Sequence, residues 1–413
     1  MTSEIKQRIE QIRRGEVPER YVKTALGLAP ANWKRYTFGD IYTERKEPGD
    51  ENLPLLMVSI HSGVSDGEVD AAELPKQVKR IEDKSQYKKA VSGDLVFNMM
   101  RAWQGAIGAV RTTGMVSPAY IVAEPNDKAY PLFMDYYSRT PQMINQIDRQ
   151  SYGVTDFRKR LYWDSFAPIS CTLPPIEEQQ KIAAILTTQD RVIELKGKRL
   201  AEKQRQEKYL MQQLLTGKKR LPGFNGAWKT DCLGKLFFER KETNCENIEM
   251  LAITGTQGII PRKELDLKDN SSEDKSKYLR VCVGDIGYNT MRMWQGVSAY
   301  SNYEGIVSPA YTILKPSSSI NAKYFAYLFK MSEIVFLFYR FSQGLVDDTR
   351  NLKYESFKKI KVCYPPDIKE QTAIAEVLSA ADREIELLQQ DIEQEKQKKK
   401  ALMQLLLTGI VRV

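Results

Sequence analysis

Histidine and cysteine are scarce in this sequence. Its 413 residues include one histidine, His61, and five cysteines. The cysteines are odd in number and no two of them stand in a CxxC spacing (Cys171, Cys232, Cys245, Cys282 and Cys363). This usage argues against a disulfide framework and against a zinc site, and it indicates a reducing compartment, the cytoplasm.

Signatures of nucleotide chemistry and of membrane insertion are also missing. The chain contains no G-x-x-x-x-G-K-[ST] loop, no glycine-rich dinucleotide fingerprint and no Asn-Pro-Pro-Tyr motif of the amino-methyltransferases. Its first residues lack the apolar run of a signal peptide. The most apolar stretch, residues 324–341, is interrupted by Lys330, Ser332 and Glu333, which predicts a buried helix and no membrane span.

The composition is that of a folded, mildly basic protein. Hydrophobic residues make up 42% and charged residues 28%, which excludes wholesale disorder, and the length suits two or three domains. Lysine and arginine (62) exceed aspartate and glutamate (53), giving a formal charge of +9. This excess suits a polyanionic partner, although proteins that never contact nucleic acid often carry a similar surplus.

The motifs that the sequence does contain occur twice. Residues 98–105, NMMRAWQG, return as NTMRMWQG at 289–296, which is 191 positions later, and VSPAY of residues 116–120 returns at the same offset. A Pro-Pro before Glu-Gln and a Leu-Leu-Thr-Gly also recur near the end of each copy. These matches indicate a tandem duplication of the whole chain. Because the counterpart of His61 is Thr256, a duplicated histidine-based catalytic or metal site is excluded.

The first part of each copy is rich in glycine, proline, aromatic residues and short β-branched runs. Segments such as 94–98, 120–123 and 285–289 are bounded by glycine and proline turns and predict strands. Helical stretches are predicted among them, near 134–149 and 324–341. We therefore expect a mixed α+β domain in each copy.

Each copy ends in a proline-free segment, 177–215 in the first and 369–407 in the second, in which Gly197 is the only glycine. Apolar residues recur at heptad-like spacing, which predicts two helices of about 58 Å each. One apolar stripe is too narrow for a globular core, so each helix needs a partner, and the helix of the other copy supplies it.

The repeated Arg-x-Trp-Gln-Gly motif is the first candidate for nucleic-acid contact. Arginine can bond O6 and N7 of guanine together, and glutamine can do the same at N6 and N7 of adenine. The alternative is that the tryptophan packs in the core and the arginine pairs with a carboxylate. The candidate residues are Arg101, Trp103 and Gln104 in the first copy and Arg292, Trp294 and Gln295 in the second.

A second candidate is the glycine-containing segment 151–160, matched by 342–351. Cations beside these turns suit phosphate contacts. The alternative is a solvated charged loop. The candidate residues are Arg158, Lys159, Arg160 and Arg350.

The order, spacing and duplication of these motifs resemble the specificity subunits of type I restriction-modification enzymes. The resemblance covers nearly the full length, and the junction KKRLPGF at 218–224 followed by Trp228 is also typical of that family. It implies an α+β fold in which two target recognition domains are each followed by a long helix, the two helices pairing as an antiparallel coiled coil. The implied segments are an N-terminal helical segment at 1–20, target recognition domains at 21–172 and 218–363, and helical spacers at 173–217 and 364–413.

The resemblance also implies a function. The chain would bind double-stranded DNA without catalysing a reaction, each target recognition domain reading one half of a bipartite site. The paired helices would set the gap between the half-sites and dock two methyltransferase subunits, and the complex would recruit ATP-driven restriction and translocase subunits. S-adenosylmethionine, ATP and Mg²⁺ are expected on these partners, with no cofactor or metal on this chain, no membrane contact and a cytoplasmic location.

Two other functions stay open on the residues alone. One is an enzyme, either a type II-like fused specificity protein or a separate nuclease or methyltransferase, against which the missing motifs argue. The other is a coiled-coil scaffold whose two heads bind proteins and not DNA.

Overall fold

The computed structural model of the chain describes residues 3–24, 27–50, 52–60, 63–65, 86–155, 158–245, 248–255, 258–265 and 274–413. The histidine position and its counterpart, His61 and Thr256, lie outside the described residues. Contacts divide the chain into two units. The first combines Met1–Lys196 with Asp391–Val413, and the second is Gly197–Gln390.

Helices and strands alternate irregularly along both copies. The helices are α1 (Ser3–Arg13), α2 (Phe38–Ile41), α3 (Pro131–Tyr137), α4 (Pro141–Arg149), α5 (Trp163–Phe166), α6 (Ile176–Leu214), α7 (Leu233–Leu236), α8 (Ala322–Leu328), α9 (Ser332–Phe341), α10 (Tyr354–Phe357) and α11 (Ile368–Leu407). The strands of the first copy are β1 (Tyr21–Thr24), β2 (Gly27–Pro30), β3 (Lys34–Thr37), β4 (Tyr42–Glu44), β5 (Val58–Ser59), β6 (Gly63–Val64), β7 (Lys88–Ala90), β8 (Leu95–Asn98), β9 (Ile107–Ala109), β10 (Gly114–Val116), β11 (Tyr120–Pro125) and β12 (Ser170–Leu173). Those of the second copy are β13 (Lys229–Cys232), β14 (Phe237–Arg240), β15 (Leu251–Thr254), β16 (Gly258–Pro261), β17 (Leu279–Val281), β18 (Ile286–Asn289), β19 (Ser298–Tyr300), β20 (Gly305–Val307), β21 (Tyr311–Pro316) and β22 (Lys361–Tyr364).

An antiparallel four-stranded sheet of order β4-β11-β8-β9 organises the first unit. Successive side chains of a strand point to opposite faces. Leu95 and Phe97 of β8 accordingly join the main core with Phe166, while Val96 joins a smaller core that contains Leu56. Because both faces are covered, the first three residues of β8 are all apolar and do not alternate with polar ones. The strands predicted from the sequence are confirmed here.

The second unit repeats this sheet in the order β14-β21-β18-β19. Ile286 and Tyr288 of β18 face the main core, and Gly287 takes the position of Val96. A Cβ on Gly287 would lie 2.3 Å from Cδ1 of Ile253, so a larger residue here would have to displace that side chain.

The helical regions predicted near 134–149 and 324–341 each contain two helices, so the expectation of one buried helix over 324–341 is wrong. In the first unit the break precedes Pro141, which has no amide hydrogen to continue the helix, and Oγ1 of Thr140 accepts the Met143 amide as an N-cap. In the second unit α9 begins after the extended residue Met331. Within α9 only Phe338 is buried.

Two further motifs recur in the two copies, Glu-Arg-Lys-Glu at 44–47 and 239–242 and Gly-Asp at 93–94 and 284–285. They meet in a buried ion pair in each unit. Nε of Arg45, from the Glu-Arg-Lys-Glu motif, lies 2.8 Å from Oδ2 of Asp94, from the Gly-Asp motif. Arg240 and Asp285 make the same contact at 2.8 Å in the second unit. Both aspartates are 2% exposed. The recurrence of these motifs therefore has a structural cause.

In the first unit the start of α6 runs antiparallel to the end of α11. Nζ of Lys196 donates to Asp391 Oδ1 and Glu395 Oε1, both at 2.8 Å. Nζ of Lys399 lies 2.5 Å from Oδ1 of Asp190. Because later residues of α6 meet earlier residues of α11, the direction of the pairing is fixed.

The second unit contains the other halves of these helices in the same antiparallel sense. Nζ of Lys203 lies 2.9 Å from Oε2 of Glu384. Ion pairs thus join the helix segments in both units, and apolar contacts lie nearer the helix ends. Leu406 of α11 is buried in the main core of the first unit, and Leu214 of α6 in that of the second. The predicted fold class, a duplicated α+β unit with paired helices, is confirmed.

The described residues were compared with what a membrane span, a metal site or a disulfide would require. No helix in it is long and apolar enough to cross a membrane. No group of three or more histidine, cysteine, aspartate or glutamate side chains in it could hold a metal ion. All five cysteines are free thiols.

Candidate nucleic-acid interface

The Arg-x-Trp-Gln-Gly motif forms the same tight 3₁₀ turn in both units, Ala102–Gln104 and Met293–Gln295. Oδ1 of Asn98 accepts the amide of Met100 at 2.9 Å and so fixes the entry to the first turn. Gly105 ends that turn in the left-handed region, with φ 104. The second turn ends at Gly296 with φ 79. The sequence repeats asparagine and glycine here because the turn needs both.

The turn exposes the arginine and the glutamine in both units. Arg101 and Gln104 are exposed, and so are Arg292 and Gln295. Neither arginine forms an ion pair with a residue that the structure describes. The geometry therefore argues against the alternative in which these arginines pair with carboxylates.

The tryptophan of the motif is half-buried in each unit. Trp103 packs against the main core, and its Nε1 donates to the Met100 carbonyl at 3.0 Å. In the second unit Nε1 of Trp294 donates to the Met291 carbonyl at 3.0 Å, and its ring meets the ring of Tyr339 edge-on, with the centroids 6.2 Å apart. The indole N–H groups are thus used within the turn, and the two rings position it. Contact of the two tryptophans with DNA stays a prediction.

The second candidate segment lies beside the turn in each unit. An antiparallel bridge between Tyr152 and Arg160 closes the first segment, and the next residue, Leu161, donates its amide to Met99 at 2.8 Å. In the second unit the bridge joins Gln343 and Asn351, and Leu352 donates to Thr290 at 2.8 Å. The two sequence motifs therefore form one surface in each unit. We call it the turn–loop surface (98–105 with 151–155 and 158–161; 289–296 with 342–352).

Cations of the loops stack on aromatic rings at or next to this surface. Nζ of Lys159 is 4.9 Å from the centre of the Trp103 ring and 2.7 Å from Oδ1 of Asp148. In the second unit the guanidinium carbon of Arg350 is 4.1 Å above the ring of Tyr339. Each contact ties a loop to neighbouring elements and holds a cation at the surface.

The remaining predicted cations have different surroundings. Arg158 is exposed, and Arg160 is half-buried, with its guanidinium donating to the Lys159 carbonyl at 2.9 Å. The guanidinium of Arg350 also bonds Oδ1 of Asp347 at 2.9 Å. Arg158 is therefore the loop cation most accessible to a phosphate.

Sequence reasoning missed the apolar tips of the two loops. Val154 is 92% exposed and Leu345 is 100% exposed, at equivalent positions of the two copies. An apolar side chain at the same offset in two polar loops was the signal that could have revealed them. Exposed apolar side chains between cations suit a surface that contacts nucleobases or sugars.

Replacing the turn glycines with alanine is expected to destabilise each unit and to disorder its turn. Both glycines have positive φ, which costs a residue with a Cβ roughly 1–2 kcal/mol. Gly296→Ala should be the worse of the pair, because its Cβ would lie 3.0 Å from Cγ2 of Val335, whereas at Gly105 the nearest atom is 3.5 Å away. Urea unfolding of the two variants measures the difference. Equal stability of both variants and the wild type would contradict this account of the turn.

The fold and the turn–loop surfaces define a class of protein. Two similar α+β domains each carry the same exposed arginine–glutamine turn, and each packs against an antiparallel pair of helix segments. This is the layout of a duplicated protein that presents the same exposed surface twice.

Comparison with known proteins identifies the family. The family model described as type I restriction modification DNA specificity domain matches residues 76–205 and 234–397. The chain belongs to that family.

Individual relatives span most of both chains at low identity. The type I restriction enzyme MjaVIII specificity subunit of Methanocaldococcus jannaschii is 24% identical over 362 residues, covering 80% of this chain and 83% of the relative. The fold resembles the HsdS subunit of Thermoanaerobacter tengcongensis, with a TM-score of 0.50 and 17% identity over 93% of this chain and 98% of that one. It also resembles the type I restriction-modification S subunit of M. genitalium, with a TM-score of 0.56 and 12% identity over 91% and 96%.

Proposed function

We propose that this chain is the DNA-recognition subunit of a type I restriction-modification complex and that each α+β domain reads one half of a bipartite site. The observation that carries the proposal is the duplicated turn–loop surface. In each unit an exposed arginine and an exposed glutamine stand on a rigid turn beside a loop that carries cations.

The chemistry of these side chains suits duplex DNA. Arg101 and Arg292 can each donate two hydrogen bonds to one guanine, and Gln104 and Gln295 can each recognise adenine. Arg158, with Lys159, Arg160 and Arg350, adds positive charge that favours the phosphate backbone. Phosphate contacts orient the domain, and the turn then selects the bases.

The paired helices have a separate role in the proposal. They hold the two recognition domains apart at the distance that sets the gap between half-sites, and they dock two methyltransferase subunits. This chain performs no chemistry, whereas the partners bind S-adenosylmethionine, ATP and Mg²⁺. Its location is the cytoplasm, where chromosomal DNA and these partners are found.

A protein-binding scaffold is the main competing function, and a salt titration separates the two. If the chain binds DNA through phosphates, the logarithm of its affinity should fall linearly with the logarithm of salt concentration, by about 0.9 for each phosphate contacted. Fluorescence anisotropy with labelled duplex, for the chain alone and with its methyltransferase partner, gives the slope. Absence of binding in both preparations at low salt would favour the scaffold.

An enzyme is the other competing function. Purified chain incubated with DNA, Mg²⁺ and S-adenosylmethionine should neither cleave nor methylate the duplex. Turnover that copurifies with the chain alone, and disappears in a variant of the chain, would overturn the proposal.

Lengthening both helices is expected to widen the gap in the DNA site. Four residues inserted after Gly197, with four at the facing position of α11, add about 6 Å of helix, close to two base pairs at about 3.4 Å each. Mapping methylated sites in cells that express the variant and its partner would show the new gap with both half-site sequences unchanged. Four residues inserted in the junction after Gly223 are the matched control and should leave the gap as it was. An unchanged gap in the helix variant contradicts the spacing role.

A further inference from the structure

In the first unit the side-chain ammonium group of Lys399 occupies a polar site. The hydroxyl of Tyr136 on α3 donates to Oδ2 of Asp190 on α6 at 2.6 Å. Nζ of Lys399 on α11 lies 2.5 Å from the other oxygen of Asp190 and 5.4 Å from the centre of the Tyr136 ring. A carboxylate and an aromatic face together hold the ammonium ion.

The second unit repeats the tyrosine and the aspartate but not the lysine. The hydroxyl of Tyr327 on α8 donates to Oδ2 of Asp382 on α11. The residue of α6 that corresponds to Lys399 is Glu207, and its carboxyl group is hydrogen-bonded to that of Asp382. Two carboxyl groups thus meet where the first unit joins a carboxylate to an ammonium ion.

This carboxyl pair holds a proton more tightly than ordinary carboxyl groups do. Burial, together with the neighbouring Asp382, raises the pKa of Glu207 from 4.5 to about 7. The stability of the second unit should therefore decrease as the pH rises from about 4.5 to about 7, because in this range the folded chain binds more protons than the unfolded chain. The first unit has no equivalent pair at this position, since Lys399 neutralises Asp190.

The carboxyl pair lines a cavity of about 480 Å³ in the second unit. Met211 and Ala326 give the cavity an apolar wall. Ser298, which lines the same cavity, is 1% exposed, and its Oγ has no hydrogen-bond partner among the described residues. Isoleucine (Ile107) occupies this position in the first unit. Compared with the first unit, the second unit therefore lacks an ammonium group and has an additional hydroxyl group at this cavity.

The other charged groups of the cavity are lysines. Lys323 and Lys330 also line it. Nζ of Lys330 donates to the Gly296 carbonyl at 2.8 Å, which holds it at that wall. A ligand with one positive charge and an apolar tail fits this distribution better than one with two charges, since the second charge would approach the lysines.

We infer that the cavity bounded by Glu207, Asp382 and Tyr327 binds a small primary amine in its ammonium form, which takes the place that Lys399 holds in the first unit. The ammonium ion donates to the two carboxylates, and the alkyl group lies against the apolar wall. This inference does not rest on the proposed DNA-binding function, because the site lies in the second unit alone and is tested without DNA.

Binding is expected to be pH-dependent. The ammonium ion replaces the shared proton, so affinity rises as the pH increases through about 7 and levels off when both carboxyl groups are ionised. Above that pH the amine also removes the repulsion between the two carboxylates.

Thermal unfolding of the full chain with n-butylammonium chloride tests the inference. At pH 8 and constant ionic strength, a concentration ten times the Kd is expected to raise the Tm of the second unit by about 2–6 °C relative to sodium chloride. The rise should be much smaller at pH 5.5. Tetramethylammonium, which has no N–H donor, should give no rise at either pH.

Two variants locate the site. Glu207→Lys recreates the arrangement of the first unit and should abolish the amine response, because the new lysine takes the ammonium position. Glu207→Gln removes one charge without adding a cation and should also lose most of the response, so the test does not depend on one variant folding. An amine response that persists unchanged in these variants, an equal response to tetramethylammonium, or no response of the wild type at pH 8 overturns the inference.

Discussion

Arg101→Ala is expected to weaken binding to the cognate DNA by roughly 5- to 150-fold, through loss of about 1–3 kcal/mol at one half-site. The affected half-site should lose its preference at the base that Arg101 contacts, while the other half-site is read as before. Arg292→Ala should relax the other half-site and leave recognition of the first one unchanged. Competition binding with duplexes altered in one half-site at a time measures both effects.

These substitutions should change DNA binding and not folding, because Arg101 and Arg292 are exposed and form no ion pair with described residues. Their removal should leave the stability of each unit almost unchanged. Arg205→Ala, an exposed arginine on α6, is the matched control and should leave both half-site preferences intact. If Arg101→Ala instead weakened binding to every sequence equally, the side chain would be a phosphate contact and the base-reading role would be wrong.

Arg45→Ala is expected to destabilise the first unit by about 3–5 kcal/mol. It leaves the carboxylate of Asp94, which is 2% exposed, without its cation. Amide hydrogen exchange of peptides from each unit measures the loss separately for the two. Arg240→Ala should destabilise the second unit in the same way, because it leaves Asp285 without its cation.

A double variant separates the buried charge from the lost packing. In Arg45→Ala/Asp94→Asn the buried group is neutral and its side-chain oxygen still accepts the Val91 amide, which Asp94 accepts at 2.8 Å. We expect this variant to recover a substantial part of the stability lost in Arg45→Ala. If it were no more stable than Arg45→Ala, an unpaired charge would not be the cause.

Local patterns in the sequence were enough to predict the main elements. Apolar strands between turn residues located β8, β11 and β18, and proline-free heptads located α6 and α11 within a residue or two. The repeat also singled out the Arg-x-Trp-Gln-Gly turn, whose arginine and glutamine are exposed as a reading surface requires. These features depend on residues close together in the chain.

Features that depend on distant residues could not be predicted in the same way. The pairing of Arg45 with Asp94 and of Glu207 with Asp382 depends on tertiary packing, and no local pattern indicates it. The break between α8 and α9 was missed because the apolar residues around Met331 match a continuous helix as well as two short ones. The internal bonds of Trp103 and Trp294 likewise became evident only from the geometry of the turn.

Mapping the methylated bases of cells that express this chain with its methyltransferase partner tests the central claim most directly. The account predicts a single new motif made of two short defined sequences separated by a gap of fixed length. Cells that express Arg101→Ala should keep one of those sequences and relax the other. A contiguous motif, or methylation that does not change when this chain is replaced, would contradict the claim that two duplicated domains choose the site.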